Sequence, residues 1–84
     1  MRYEVALPSL GDEDDAVTGG EVSFWLAEEG AQLEEGGDLL ELTTDKASFV
    51  VPCPRKGVLE EKRVREGDRI TAGDILCVLE VNDV

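Results

Sequence analysis

The strongest constraint on this chain is that its second half repeats its first. Residues 20–43 and 57–80 align at a constant offset of 37 positions, so that Gly20 falls on Gly57, Glu29 on Glu66, Gly30 on Gly67 and Gly36 on Gly73. Apolar positions obey the same offset: Val22 falls on Leu59, Leu33 on Ile70, Leu39 on Leu76 and Leu42 on Leu79. Matched glycines amid matched apolar residues indicate an internal duplication, one small unit used twice with each copy packed on the other.

Each copy reads as short strands. Val22-Ser23-Phe24-Trp25-Leu26 and Val58-Leu59-Glu60-Glu61-Lys62 open the two copies. A Glu-Gly turn follows each, at Glu29-Gly30 and Glu66-Gly67, where glycine takes a positive φ at low cost. A brief strand near Leu33 or Ile70 comes next, then a second turn at Gly36-Gly37 or Gly73-Asp74. The last strands run from Leu39 to Thr43 and from Ile75 to Glu80, and Tyr3 to Leu7 adds one more, stopped by Pro8. The turns recur too closely for helices, and glycine would break each one. Many short strands in a pseudo-repeat predict an all-β fold: two small antiparallel sheets packed face to face, or a flattened barrel. Phe24 and Trp25 alternate along their strand, so they are not expected to share the core. The pairs Glu28-Glu29 and Glu34-Glu35 are expected on solvated faces.

Size and charge restrict what such a fold can do. A chain of 84 residues forms one domain with a modest core, which leaves no room for a deep substrate cleft. With 8 Lys and Arg against 20 Asp and Glu, its formal net charge is -12, which disfavours nucleic acid and anionic membranes as partners. No apolar run approaches spanning length and no secretory segment is visible, so a cytoplasmic location is expected. Cys53 falls between Pro52 and Pro54, on an expected loop, and Cys77 within Ile75-Leu76-Cys77-Val78-Leu79, in the expected core. Free thiols in a reducing compartment are the default for two such cysteines. The stretch Gly11 to Gly20 has no apolar periodicity and is expected to be a surface loop. Its acids Asp12, Glu13, Asp14 and Asp15 lack the alternating ligands, central glycine and distal glutamate of a dedicated calcium loop, so no metal site is expected.

One residue stands apart. The chain has three lysines: Lys62 falls in a strand and is expected to face solvent, and Lys56 sits beside Gly57 near the Pro-Cys-Pro turn. Lys46 lies between Leu39-Leu40-Glu41-Leu42 and Phe49-Val50-Val51, so Thr44 to Ala47 is expected to be a four-residue hairpin connection. Asp45 and Lys46 form its central pair, with Asp45 expected to pin the bend through backbone donors and Ala47 leaving space beside the amine. A turn lysine ordinarily serves only solubility. At the offset of 37, however, Lys46 falls on Asp83 and Asp45 on Asn82, so the amine has no counterpart in the second copy.

These residues together resemble a lipoyl domain, the swinging-arm module of the 2-oxo-acid dehydrogenase complexes. The likeness runs from Pro8-Ser9-Leu10-Gly11 through Trp25-Leu26, Glu29-Gly30, Gly36, Thr44-Asp45-Lys46-Ala47, Pro52, Pro54, Gly57, Glu66-Gly67-Asp68, Ile70 and Gly73-Asp74 to Leu79. It implies that residues 1–84 form one lipoyl domain, with the barrel-sandwich hybrid fold: a flattened barrel of two four-stranded antiparallel sheets related by a quasi-twofold axis. It implies that Lys46 carries lipoic acid in amide linkage, presented by Asp45 and Ala47. Two departures stand out. Thr43 occupies the place of the family's glutamate three residues before the lysine, which leaves Glu41 and Asp45 as acidic cues for a lipoyl-attaching enzyme. The segment Leu10 to Gly20 is about three residues longer than the family spacing.

The resemblance further implies a non-catalytic carrier, part of a dihydrolipoamide acyltransferase chain and itself monomeric. Its arm would receive an acyl group from a thiamine-diphosphate-dependent decarboxylase, deliver it to an acyltransferase core and be reoxidised by dihydrolipoamide dehydrogenase. Two other readings are open. A biotin carrier domain would serve carboxyl transfer, but biotin attachment goes with methionine on both sides of the lysine, and Asp45 and Ala47 stand there instead. An unmodified adaptor module of the same fold would use Lys46 only to cap a hairpin.

Overall fold

The offset of 37 residues governs how the strands pair. The computed structural model describes residues 1–8, 19–45 and 47–81. They form β1 (Arg2–Ala6), β2 (Gly19–Trp25), β3 (Gln32–Leu33), β4 (Asp38–Thr43), β5 (Ser48–Pro52), β6 (Gly57–Lys62), β7 (Arg69–Thr71) and β8 (Ile75–Glu80). One antiparallel sheet has the order β1-β8-β6-β3 and the other β5-β4-β2-β7. Under the offset, β2, β3 and β4 map onto β6, β7 and β8, and β5 occupies the place of β1. The two sheets therefore share one strand order, as a quasi-twofold requires. The correspondence extends to irregularities: the register shift between Val22 and Phe24 recurs between Leu59 and Glu61.

The halves are interleaved rather than side by side. β3 belongs to the first half but pairs with β6, and β7 belongs to the second but pairs with β2. The Glu-Gly turns continue the exchange. The Val22 N–H donates to the Asp68 carbonyl at 2.9 Å and the Val22 carbonyl accepts from Gly67 N–H at 2.7 Å. Thirty-seven residues on, Leu59 makes the equivalent bonds with Ala31 at 3.0 Å and Gly30 at 2.7 Å. The glycines at the four predicted turns, Gly30, Gly36, Gly67 and Gly73, all have φ between 85° and 96°. That conformation costs most residues energy and glycine little.

The expectation of a barrel is not met. Among the described residues no hydrogen-bonded strand pair joins one sheet to the other. Closure would need the edge strands to pair across the seam, but β1, β3, β5 and β7 each pair only with a strand of their own sheet. The architecture is a sandwich of two four-stranded sheets. Its interior comprises two apolar clusters, one around Leu39, Leu59, Cys77 and Leu79 and one around Leu40, Leu42, Val51 and Leu76. Trp25 packs against both. Each fully buried leucine contributes about 1.5–3 kcal/mol, which is set against the entropy of ordering the chain.

Three local expectations change. Gly19 and Gly20 open β2 rather than ending a loop, and Gly11 to Thr18 lie outside the described residues. Cys53 lies outside any strand, as expected, but is as deeply buried as Cys77 in the same cluster; both are free thiols. Lys62 does not face solvent: its Nζ lies 5.2 Å from the centroid of the Trp25 ring and its side chain is 23% exposed. Lys62 and Trp25 are themselves equivalent under the offset, so two counterparts stack on each other where the halves meet. Glu29 and Glu66 complete this junction reciprocally, Glu29 accepting from Lys62 N–H at 2.9 Å and Glu66 from Trp25 N–H at 3.1 Å. The expected solvated acids are thus exposed but not idle.

Candidate functional site

The hairpin of β4 and β5 is the element on which the sequence places the candidate lysine. Its register runs Glu41 opposite Val50, Leu42 opposite Phe49 and Thr43 opposite Ser48. Leu42 is fully buried, so this leg is anchored in the core up to the base of the turn. Above it the Thr44 N–H donates to the Ala47 carbonyl at 2.9 Å, which closes the turn around Asp45 and position 46. Lys46 itself lies outside the described residues. Its neighbours Asp45 and Ala47 are both exposed, so the turn projects to solvent on either side of it.

Among the described bonds across this turn, those from a side chain are made by Thr44. The Thr44 hydroxyl donates to the Ala47 carbonyl at 2.9 Å and accepts from the Ala47 N–H at 3.1 Å. A hydroxyl can do both, whereas an ionised carboxylate only accepts. One strand lower, the hydroxyls of Ser23 and Thr43 bond to each other and tie β2 to β4 beside the turn. Thr43, where the resemblance puts a glutamate, thus contributes a contact rather than a charge. Glu41 is not brought to the tip: it stands three residue pairs below the closing bond, half-buried between Phe24 and Val50.

A groove of about 510 Å³ runs beside the hairpin, lined by Gly19, Gly20, Glu21, Thr43, Thr44, Asp45 and Arg69. Gly20 is essential to its shape. A Cβ there would lie 2.5 Å from the Thr43 carbonyl oxygen, so β2 approaches the base of the turn only because the side chain is missing. Sequence reasoning found Gly20 as a repeat position but could not see this approach. The Thr44 latch had no signal beyond a hydroxyl residue at the start of a turn. Among the described residues no group of three or more His, Cys, Asp or Glu could hold a metal ion, and Asp12 to Asp15 lie outside them.

An exposed turn on a fixed hairpin, with only an open groove beside it among the described residues, is a geometry for presenting a group rather than for transforming a bound substrate. The comparisons agree. The Biotin_lipoyl family, described as "Biotin-requiring enzyme", matches residues 3–79. The chain belongs to this family, and is a lipoyl/biotin attachment domain: a carrier whose chemistry resides in a covalently joined group. Among curated relatives it is 33% identical over 79 residues to the dihydrolipoyllysine-residue acetyltransferase component of the pyruvate dehydrogenase complex of Corynebacterium glutamicum, covering 94% of this chain and 11% of that protein. It is 31% identical over 83 residues to the same component from Staphylococcus aureus, covering 99% of this chain and 19% of the relative. With the acetyltransferase component of the acetoin cleaving system of Bacillus subtilis it shares 30% identity over 79 residues, covering 94% and 19%. The chain therefore spans less than a fifth of the length of these relatives. Among solved structures, the lipoyl domain of the 2-oxoglutarate dehydrogenase complex from Azotobacter vinelandii superposes with a TM-score of 0.69 at 22% identity, over 95% of this chain and 98% of that one. A single-chain long-chain acyl-CoA carboxylase matches at 0.77 and 23% identity, over 98% of this chain and 7% of the carboxylase. At these identities the structures establish the shared fold alone.

Proposed function

We propose that residues 1–84 are the lipoyl domain of a 2-oxo-acid dehydrogenase-type acyltransferase, with Lys46 as the attachment point. The observation that carries this reading is the closed hairpin: Thr44 and Ala47, on either side of position 46, are bonded to each other above strands rooted in the core. The flanks Asp45 and Ala47 are both exposed, which fits attachment of a long flexible arm. When bound, lipoyl supplies a disulfide–dithiol couple that takes up an acyl group with two electrons and passes both on. The protein contributes a fixed base, so that the arm moves and the backbone does not. Tethering then raises the local concentration of the carried group at its partners.

The partners that fit are a thiamine-diphosphate-dependent decarboxylase, an acyltransferase core, dihydrolipoamide dehydrogenase and a lipoyl-attaching enzyme, acting in the cytoplasm on a monomeric domain. The relatives from pyruvate and acetoin systems support a short-chain acyl cargo. Lipoyl rather than biotin is favoured by Asp45 and Ala47, polar and small where biotin sites carry methionine.

Intact mass tests the assignment. Incubated with lipoate, ATP and a lipoate-attaching ligase, the domain gains one lipoyl increment, and Lys46→Arg gains none. A lipoyl gain that persists in Lys46→Arg refutes the site. A biotin increment from biotin ligase, with no lipoyl gain, refutes the cargo.

A further inference from the structure

The quasi-twofold fold contains its own control, because each outward position on one sheet has a counterpart on the other. In the β1-β8-β6-β3 sheet, Glu61 and Glu4 flank Val78 in register. In the β5-β4-β2-β7 sheet the equivalent row is Phe24, Glu41 and Val50. Polarity along the row is inverted: acid–apolar–acid on one face becomes apolar–acid–apolar on the other. The fold needs neither arrangement, since it tolerates both.

The consequences for the two faces differ. On the first, Arg2 pairs with Glu60 at 3.0 Å and Glu61 at 3.6 Å, and Arg63 pairs with Glu61 at 2.9 Å. Arg2 and Arg63 flank Val78, which is buried. On that face Arg2 and Arg63 pair with Glu60 and Glu61 around a buried apolar centre. On the second, Phe24 is 59% exposed and Val50 46%, and Leu26, just past the end of β2, is 48% exposed. None of the ion pairs among the described residues involves Glu21, Asp38 or Glu41 on or beside it. Exposed aromatic and aliphatic side chains around an unneutralised acid are what a desolvated contact needs on one of its two sides.

We propose that this outer face, centred on Phe24, Glu41 and Val50, docks the decarboxylase that loads the arm, through a surface with an apolar recess rimmed by lysine or arginine. The inference rests on the lipoyl reading above. Charge selects the occupant. A second copy of this chain would bring Glu41 against Glu41 across a twofold contact between chains of net charge -12, which disfavours self-association. A basic rim gives Glu41 a counter-charge that no ion pair among the described residues supplies and steers the encounter. The face lies on the same two strands as the hairpin, with Glu41 about 10 Å below the turn at the usual strand rise, so a partner seated there has the arm within reach.

The test uses the domain and its cognate decarboxylase. Binding is followed on the unmodified, isotope-labelled domain by titration, and loading by kcat/KM for reductive acylation of the lipoylated domain. Amide shifts are expected on β2, β4 and β5 and not on β1 or β6. Phe24→Ser/Val50→Thr is expected to raise Kd and lower kcat/KM at least tenfold, with the unfolding midpoint and the lipoyl mass increment retained. Glu41→Gln, which keeps the shape, gives a smaller loss and a weaker salt dependence of binding. Glu4→Gln on the opposite face changes neither. If the native domain is loaded but the double variant is loaded and bound as well, the docking face is refuted and the carrier reading stands. A variant that loses only lipoylation refutes it too, because the face would then serve the attaching enzyme. If the lipoylated native domain is not loaded at all, the partner assignment falls and this inference with it.

Discussion

Gly20 and Gly57 provide a matched pair of perturbations, one at the base of the lysine hairpin and one at its quasi-twofold equivalent. A Cβ on Gly20 would meet the Thr43 carbonyl oxygen at 2.5 Å, and one on Gly57 the Glu80 carbonyl oxygen at 2.6 Å. Both obstacles are backbone, so relief means moving a strand by about 0.4–0.5 Å rather than turning a side chain. Overpacking of this kind costs about 1–3 kcal/mol. In a domain of this size each kcal/mol lowers the unfolding midpoint by roughly 4–8 °C. Gly20→Ala and Gly57→Ala should therefore depress the midpoint by similar amounts in thermal or urea unfolding. Their effects on modification should differ. Gly20→Ala displaces Thr43 and the turn above it, so initial lipoylation rates at a temperature where both variants are folded should fall several-fold; Gly57→Ala should leave them unchanged. Midpoints within about 2 °C of the parent in both variants would refute the close-approach argument. Equal lipoylation rates in the two would refute the idea that β2 positions the turn.

Two further outcomes follow from the turn and the core. Thr44→Val removes a hydroxyl that both donates and accepts at the turn, and should cost about 0.5–1.5 kcal/mol while speeding hydrogen exchange at the Ala47 amide. Unchanged exchange there would show that the backbone bond alone closes the turn. Burial, with Cys53 nearby, pushes the Cys77 thiol from an ordinary 9.0 up to about 12. Above pH about 9 the unfolded chain gives up this proton while the folded one keeps it, so stability declines as pH rises from there towards 12. Urea midpoints taken between pH about 8.5 and about 10.5 should fall less steeply in Cys77→Ala than in the parent, and parallel slopes would refute this linkage.

Much of the fold was legible because glycine and apolar spacing are local signals. The four turn glycines, the strand from Ile75 to Glu80 and the brief strands at Leu33 and Ile70 could each be placed without knowing what they pack against. Exchange of those brief strands between halves could not be read, because pairing partners are not marked in two- and three-residue stretches. At the hairpin, the connection Thr44 to Ala47 was readable from the apolar runs on either side. The Thr44 latch was not, since Asp45 is the more familiar turn-stabilising residue. Lys62 was misplaced because a charged residue in a strand suggests solvent, while the Trp25 ring that receives it is contributed by the other half.

The strand exchange also bears on the order of events as the chain is made. β2 finds its edge partner only in β7, with Gly20 opposite Ile70 some fifty residues later. β1 waits for β8, with Arg2 opposite Glu80. The β4–β5 hairpin and its pairing with β2 are short-range, but these longer loops must close to complete both sheets, which places assembly of the sandwich among the slower, non-local topologies. During synthesis the hairpin of β4 and β5 emerges with β2 already made, but before β7 and β8 complete the two sheets. The core beneath Leu42 is complete only when Ile70 and Leu76 have been added, so the hairpin gains its fixed base late.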